Sequence, residues 1–142
     1  MPGHGTTAGV LGDTGVRAEL VRVVHEGLRD PAELVAPLGL RDVFAPAEMR
    51  HCGGHAGVER WAGRLAAKRA VLAALGNPRL PLSQLEIVPQ AARCFSPARC
   101  ARGHRPVVRP GGAAASLLLH DMPVQLSISH TARAAVAVVV VP

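Results

Sequence analysis

VERWAGRLAAKRAVLAAL, residues Val58–Leu75, followed by Gly76-Asn77-Pro78, is the stretch that decides the fold. Val58, Trp61, Leu65, Leu72 and Leu75 recur at helical spacing and make one apolar stripe. The Gly-Asn-Pro ending is a stop signal, since glycine accepts the left-handed cap and proline cannot continue a helix. Arg60, Arg64 and Lys68 recur every four residues, so a helix stacks them into one cationic ridge, expected on its exposed side.

Upstream, Phe44-Ala45-Pro46-Ala47-Glu48 opens a short helix that stops at Gly53-Gly54. Before it, Asp30-Pro31-Ala32-Glu33 places an N-cap, an N1 proline and an N3 acid in order, and Pro37 and Gly39 end that segment. Val16, Leu20, Val23, Val24 and Leu28 fall near helical spacing, which predicts a further helix over Val16–Leu28 capped by Asp13 or Thr14. Residues 1–12 are Gly/Thr-rich and are expected to be loose, with a single domain over 13–142.

Downstream the period changes. Leu85–Val88 reads as a strand, and Pro89–Arg105 reads as a Cys-, Pro- and Arg-rich loop. Pro106-Val107-Val108 resumes pairing, and Ala113–His120 is a candidate short helix. Val124–Ser129 alternates as a half-exposed strand does; after a turn at His130–Arg133, Ala134–Val141 supplies its hairpin partner. Helices first and antiparallel strands later indicate α+β, a long helix packed on a small antiparallel sheet.

At 142 residues the chain is one domain's worth, and with one Trp, two Phe and no Tyr its core must be filled by Val, Leu and Ala. Such scarcity of aromatics argues against nucleic-acid binding, which uses stacking platforms on single strands. The formal net charge of +6 favours an acidic partner or a polyphosphate ligand. Three cysteines, Cys52, Cys94 and Cys100, show no framework spacing, which favours a reduced, cytoplasmic setting. No basic n-region with an apolar run follows the N-terminus, and no apolar run is long enough for a membrane span. Cys94, Cys100 and His104, with Cys52 or His51, lack a standard zinc-ligand spacing.

Three ordered segments resemble the holo-acyl-carrier-protein synthase type of 4'-phosphopantetheinyl transferase. Phe44–Glu48 is similar to its F-[TS]-x-x-E segment, with Ala45 in place of the hydroxyl. Trp61–Ala70, ending at Gly76, is similar to its long helix, R-[FWL]-A-x-K-E-A with a glycine stop. Leu126-Ser127-Ile128-Ser129-His130-Thr131 is similar to its [VL]-S-[IL]-[ST]-H hairpin, and Gly103-His104-Arg105-Pro106 more weakly to its G-[KR]-P turn. Together these reach from about Val16 to Val141.

The resemblance implies an enzyme class that moves the phosphopantetheine arm of coenzyme A onto a serine of an acyl carrier protein, in fatty acid or polyketide assembly. It implies coenzyme A contacts at Arg64, Lys68, Arg105, Ser129 and His130, with Lys68, Arg69 and His130 at the reacting centre. Arg22 would face the carrier protein. It also implies a homo-oligomer, commonly a trimer, with the coenzyme site between subunits. Without the resemblance, Arg64 and Lys68 are a solvated helix face, His130 a turn residue and Glu48 a helix-turn acid.

The sequence departs from the family at its metal. Such enzymes hold Mg2+ with an Asp from an N-terminal G-[LTV]-D segment and the Glu of K-E-A. Here Arg69 follows Lys68, and Val16 or Arg17 falls at the aspartate's place, so no metal ligand carries over. The lysine one turn further along is Ala73. Asp13, Glu19 and Glu59 are the acids near enough in sequence to rebuild such a site. The expectation is a homologue that engages coenzyme A and a carrier protein, with transfer put in question, or else a carrier-binding protein without catalysis.

Overall fold

The computed structural model describes residues 5–10, 16–53, 57–76, 80–89, 106–110 and 124–141. In chain order these form β1 (Gly5–Val10), β2 (Arg17–Val24), α1 (Pro31–Val35), α2 (Leu40–Val43), α3 (Pro46–Gly53) and α4 (Val58–Leu75). A 3-10 turn at Leu82–Gln84, β3 (Leu85–Pro89), β4 (Pro106–Pro110), β5 (Gln125–His130) and β6 (Ala134–Val141) follow. The expected helix at Ala113–His120, the cap residues Asp13 and Thr14, and the stretch 90–105 lie outside the described residues.

Helix α4 runs Val58–Leu75 as its stripe requires, and it ends at Gly76 with φ +67°, whose N–H reaches back to the Leu72 and Ala73 carbonyls. Its sheet-facing residues are small. Gly63 packs so closely that an added Cβ would sit 3.0 Å from Ile128 Cγ2 on β5. Ala66, Ala67 and Ala70 have no exposed surface, so the helix lies almost directly on the strands. The bulkier Trp61, Leu65 and Leu72 point to the other side, where Phe44 meets Trp61 edge-to-face at 4.9 Å between centroids.

Two antiparallel sheets form, one in the order β1-β2-β6-β5 and one of β3 and β4. In β6, Ala135, Ala137, Val139 and Val141 are buried against α4 while the intervening valines are half-buried on the outer face. The hairpin predicted from Val124 to Val141 is present as β5 and β6, paired from Gln125↔Val140 to His130↔Ala135. Asp30 caps α1 as the sequence indicates, its carboxylate accepting from the Ala32 N–H at 3.0 Å.

The predicted helix over Val16–Leu28 is instead strand β2, and Gly5–Val10 pairs with it as β1 where a loose segment was expected. Helical spacing at Val16, Leu20, Val23 and Val24 coincides with a second, period-two pattern. Glu19, Val21 and Val23 are buried while Leu20 and Arg22 are exposed. With β1 on one side and β6 on the other, every backbone group of the segment has a ladder available, and β-branched residues favour that arrangement.

Candidate functional site

Lys68, expected on the exposed ridge against a phosphate, has 0% exposed surface and forms an ion pair with Glu48, which is equally enclosed. Its ammonium also donates to the carbonyls of Val43 and Leu82. Glu48 accepts from the Ala45 N–H at 2.9 Å through Oε1 and from the Ile87 N–H at 3.2 Å through Oε2. One charged pair thus ties α4 to the end of α2, the start of α3, the 3-10 turn and β3. Phe44 closes the pocket, its ring centre 5.2 Å from the ammonium.

Burial pushes the Lys68 pKa down and the Glu48 pKa up, with the pair's mutual attraction and hydrogen bonds opposing both shifts. Desolvation of each ion is the larger effect, so the pair is costly to bury and still more costly to break. Glu48 does lie in the first turn of α3, as the sequence indicates, but enclosed in this ion pair, and the placement of Lys68 in solvent is corrected. The ridge faces α3: the charges of Arg60, Arg64 and Lys68 all act on Cys52, whose thiol burial pushes up.

Ser129 and His130 sit apart from Lys68. At about 100° per residue, Lys68 points some 140° around the helix from Gly63, the residue that touches β5. Ser129 and His130 are exposed at the end of β5. Among the described residues, Lys68 with no exposed surface and His130 exposed at the end of β5 are not brought together in one pocket. Arg64 follows Gly63 directly and is half-buried, and its Nε is buried without a hydrogen-bond partner. Arg69 is half-buried, and burial lowers its pKa, although a guanidinium keeps its charge at any ordinary pH. Arg105 lies outside the described residues.

The hairpin's free end is fixed by groups not singled out in the sequence. His25, buried at the end of β2, donates from Nε2 to the Thr131 carbonyl at 3.1 Å, and the His25 and Glu26 N–H groups both donate to the Arg133 carbonyl. Beside this junction a cleft of about 530 Å3 opens, lined by His25, Arg29, Cys52, Glu59, Trp61 and Ala132 among others. A histidine following an alternating strand was the available signal for His25, and it was obscured by reading that strand as a helix.

The divalent cation implied by the family resemblance does not find a protein-only cage. Among the described residues no group of three His, Cys, Asp or Glu side chains is placed to hold one, and Arg69 stands where a carboxylate is expected. One acidic oxygen is orphaned among the described residues: Oε2 of Glu19, a residue 7% exposed on the inner face of β2, is buried without a hydrogen-bond partner. A lone carboxylate meets only the lesser demand of a Mg2+ ion that takes its other ligands from phosphates and water. Among the described residues, no helix is long and apolar enough to cross a membrane.

No protein-family model matches the chain, and no curated protein does. Solved structures do. A coenzyme A complex of the Chronobacterium ammoniagenes enzyme superposes with TM-score 0.64 at 25% identity, covering 89% of this chain and 95% of that one. The ligand-free structure from the same organism gives 0.62 at 23%, covering 97% and 96%, a likeness of fold alone. A Bacillus anthracis holo-(acyl-carrier-protein) synthase in complex with CoA (3',5'-ADP) gives 0.52 at 26%, covering 70% and 76%. The chain thus shares the fold of the holo-acyl-carrier-protein synthases and is similar at low sequence identity to these members of the phosphopantetheinyl transferase superfamily.

Proposed function

We propose that the chain binds coenzyme A and an acyl carrier protein, as a divergent phosphopantetheinyl transferase homologue of fatty acid or polyketide assembly. The observation that carries this reading is a fold shared over most of its length with structures solved in complex with coenzyme A. The formal charge of +6 suits both a polyphosphate ligand and an acidic carrier. Arg64, Arg69, Ser129 and His130 are the described residues assigned to the coenzyme, and the sequence resemblance adds Arg105. Guanidinium groups suit phosphate oxygens, which they bind by charge-assisted, often bidentate hydrogen bonds.

Lys68 takes no part in this assignment, because its ammonium is consumed by Glu48 and two carbonyls. The sheet's outer face, with Leu20 at 38% exposure beside half-buried Val136, Val138 and Val140, supports a homo-oligomer such as the trimer expected from the resemblance. A cytoplasmic setting agrees with Cys52 being a free, buried thiol.

A second reading, carrier binding without transfer, is favoured by Arg69. Phosphoryl transfer rests on positioning and on neutralising charge, usually with metal held by carboxylates, and an arginine supplies charge but coordinates no cation. Incubation with coenzyme A, Mg2+ and apo carrier protein separates the two readings. Mass addition of the phosphopantetheine arm supports transfer, and a stable complex without mass addition supports binding alone. Absence of both coenzyme A and carrier binding would overturn the proposal. In the binding assay, Arg64→Ala is expected to weaken coenzyme A about tenfold, an effect that shrinks with added salt; indifference to that change would remove Arg64 from the site.

A further inference from the structure

The described acids offer a divalent cation no site. Glu48 is enclosed with Lys68 and two backbone N–H groups. Asp30 and Asp42 accept from the N–H groups of Ala32 and Gly39 at helix starts, and Glu26 meets Arg133. Among the described residues the other acids build no three-ligand group. Glu19 has an oxygen to spare, but it is enclosed on the inner face of β2, which packs on α4. Even a cation that takes most of its ligands from phosphates and water needs an open carboxylate, since Mg2+ dehydrates reluctantly and keeps several waters. These residues do not fit the metal that the resemblance implies.

Arg69 stands where the resemblance places a metal-binding carboxylate, half-buried on α4. Its guanidinium is charged at any ordinary pH. A carboxylate holding Mg2+ and a single guanidinium carry the same net charge toward a phosphate. The guanidinium adds N–H donors whose fork matches phosphate oxygens, and it requires no stripping of water from an ion. Resting on the coenzyme reading above, we propose that this chain binds the polyphosphate of coenzyme A without a divalent cation, with Arg69 supplying charge in the metal's place.

Arg69 already interacts within the chain. Five N–H donors let a guanidinium keep such a partner and still meet a phosphate. Arg64 does not stand in for it. The two lie about 140° apart around α4 and flank its sheet-facing residues from opposite sides. Loss of Arg69 is therefore not compensated by Arg64 within one chain. A cation brought near Arg69 meets a fixed like charge, and in solution it competes for the same phosphate oxygens. Added Mg2+ then leaves binding unchanged or weakens it, the reverse of its effect at a site built from carboxylates.

The test is calorimetry of the full chain with coenzyme A, in chelator and again with Mg2+, at matched ionic strength. The expected result is binding in chelator, with Mg2+ tightening it by no more than about threefold. Arg69→Gln is expected to weaken coenzyme A about tenfold in both buffers, with no recovery on adding Mg2+. Arg69→Lys keeps the charge and is expected to retain most of the affinity, and melting curves check that both variants fold. The comparison of buffers on the parent chain needs no variant, so it decides the matter even where Arg69→Gln unfolds. Binding that is lost in chelator, or that Mg2+ tightens about tenfold or more, overturns the cation-free site and leaves the coenzyme reading standing. A folded Arg69→Gln chain that binds as the parent does has the same force. No coenzyme A binding in either buffer overturns the coenzyme reading itself, and this proposal with it.

Discussion

Replacing Lys68 is expected to cost folding stability before it costs any activity. Lys68→Met removes an ammonium that meets Glu48 and the Val43 and Leu82 carbonyls, and leaves the Glu48 carboxylate enclosed with only the Ala45 and Ile87 N–H groups. Breaking one side of a buried pair costs about 3–5 kcal/mol. Two hydrogen bonds donated by a charged group act in the same direction, and the methionine's apolar contacts offset part of the loss. For a domain of this size about 3 kcal/mol lowers the melting temperature by roughly 6–12 °C. Urea unfolding followed by circular dichroism reads the change directly. Glu48→Gln, which keeps an oxygen for one of the two N–H groups, is expected to cost less. The double variant should cost less than the sum of the singles, with a coupling of about 2 kcal/mol. A Lys68→Met variant within about 1 kcal/mol of the parent, or singles that simply add, would refute the enclosed pair and return Lys68 to solvent.

Three further outcomes follow from the same packing. Because burial depresses the Lys68 pKa below its ordinary 10.5, the folded state releases that proton first, so stability linked to this group rises with pH through the window beneath 10.5 and is lost as pH falls through the folded value. The difference in unfolding free energy between the parent and Lys68→Met, measured from pH 7 upward, should widen in the parent's favour; a flat or inverted difference would count against it. Gly76→Ala forces an alanine to φ +67° at the end of α4 and is expected to cost about 1–2 kcal/mol in urea unfolding, with Gly76→Asn costing less. Gly63→Ala sets helix propensity of up to about 1 kcal/mol against a Cβ 3.0 Å from Ile128 Cγ2. It should therefore be better tolerated in an Ile128→Ala background, and equal effects in both backgrounds would mean that α4 and β5 are not in contact there.

How much of this was legible depends on how strongly local pattern matched tertiary demand. Helix α4 and the β5–β6 hairpin were readable because stop signals, stripe and alternation all agree with the sheet and core they enter. Strand β2 was misread because its alternation overlaps a helical spacing, and what decides between them is pairing with β1 and β6, partners at the two ends of the chain. Period alone cannot see those partners. The candidate site was legible in its residue types and mistaken in their roles. A four-residue recurrence puts Arg60, Arg64 and Lys68 on one side, but nothing in that spacing says whether solvent or another helix meets it.

The placement of Lys68 follows from the alanines. Gly63, Ala66, Ala67 and Ala70 bring α4 close to the sheet and leave the helix's bulk, Trp61, Leu65 and Leu72, on the opposite side, where α1 to α3 and β3 must cover it. A lysine on that covered side has two physical options: reach past the covering elements to water, or find an acid within them. Glu48 supplies the acid from the first turn of α3, where two backbone N–H groups also hold its carboxylate in place. The lysine shared with the family motif thus serves to dock α3 and β3 on α4. In the proposed coenzyme reading, recognition falls instead to Arg64 and Arg69, which are half-buried, and to His130, which is exposed.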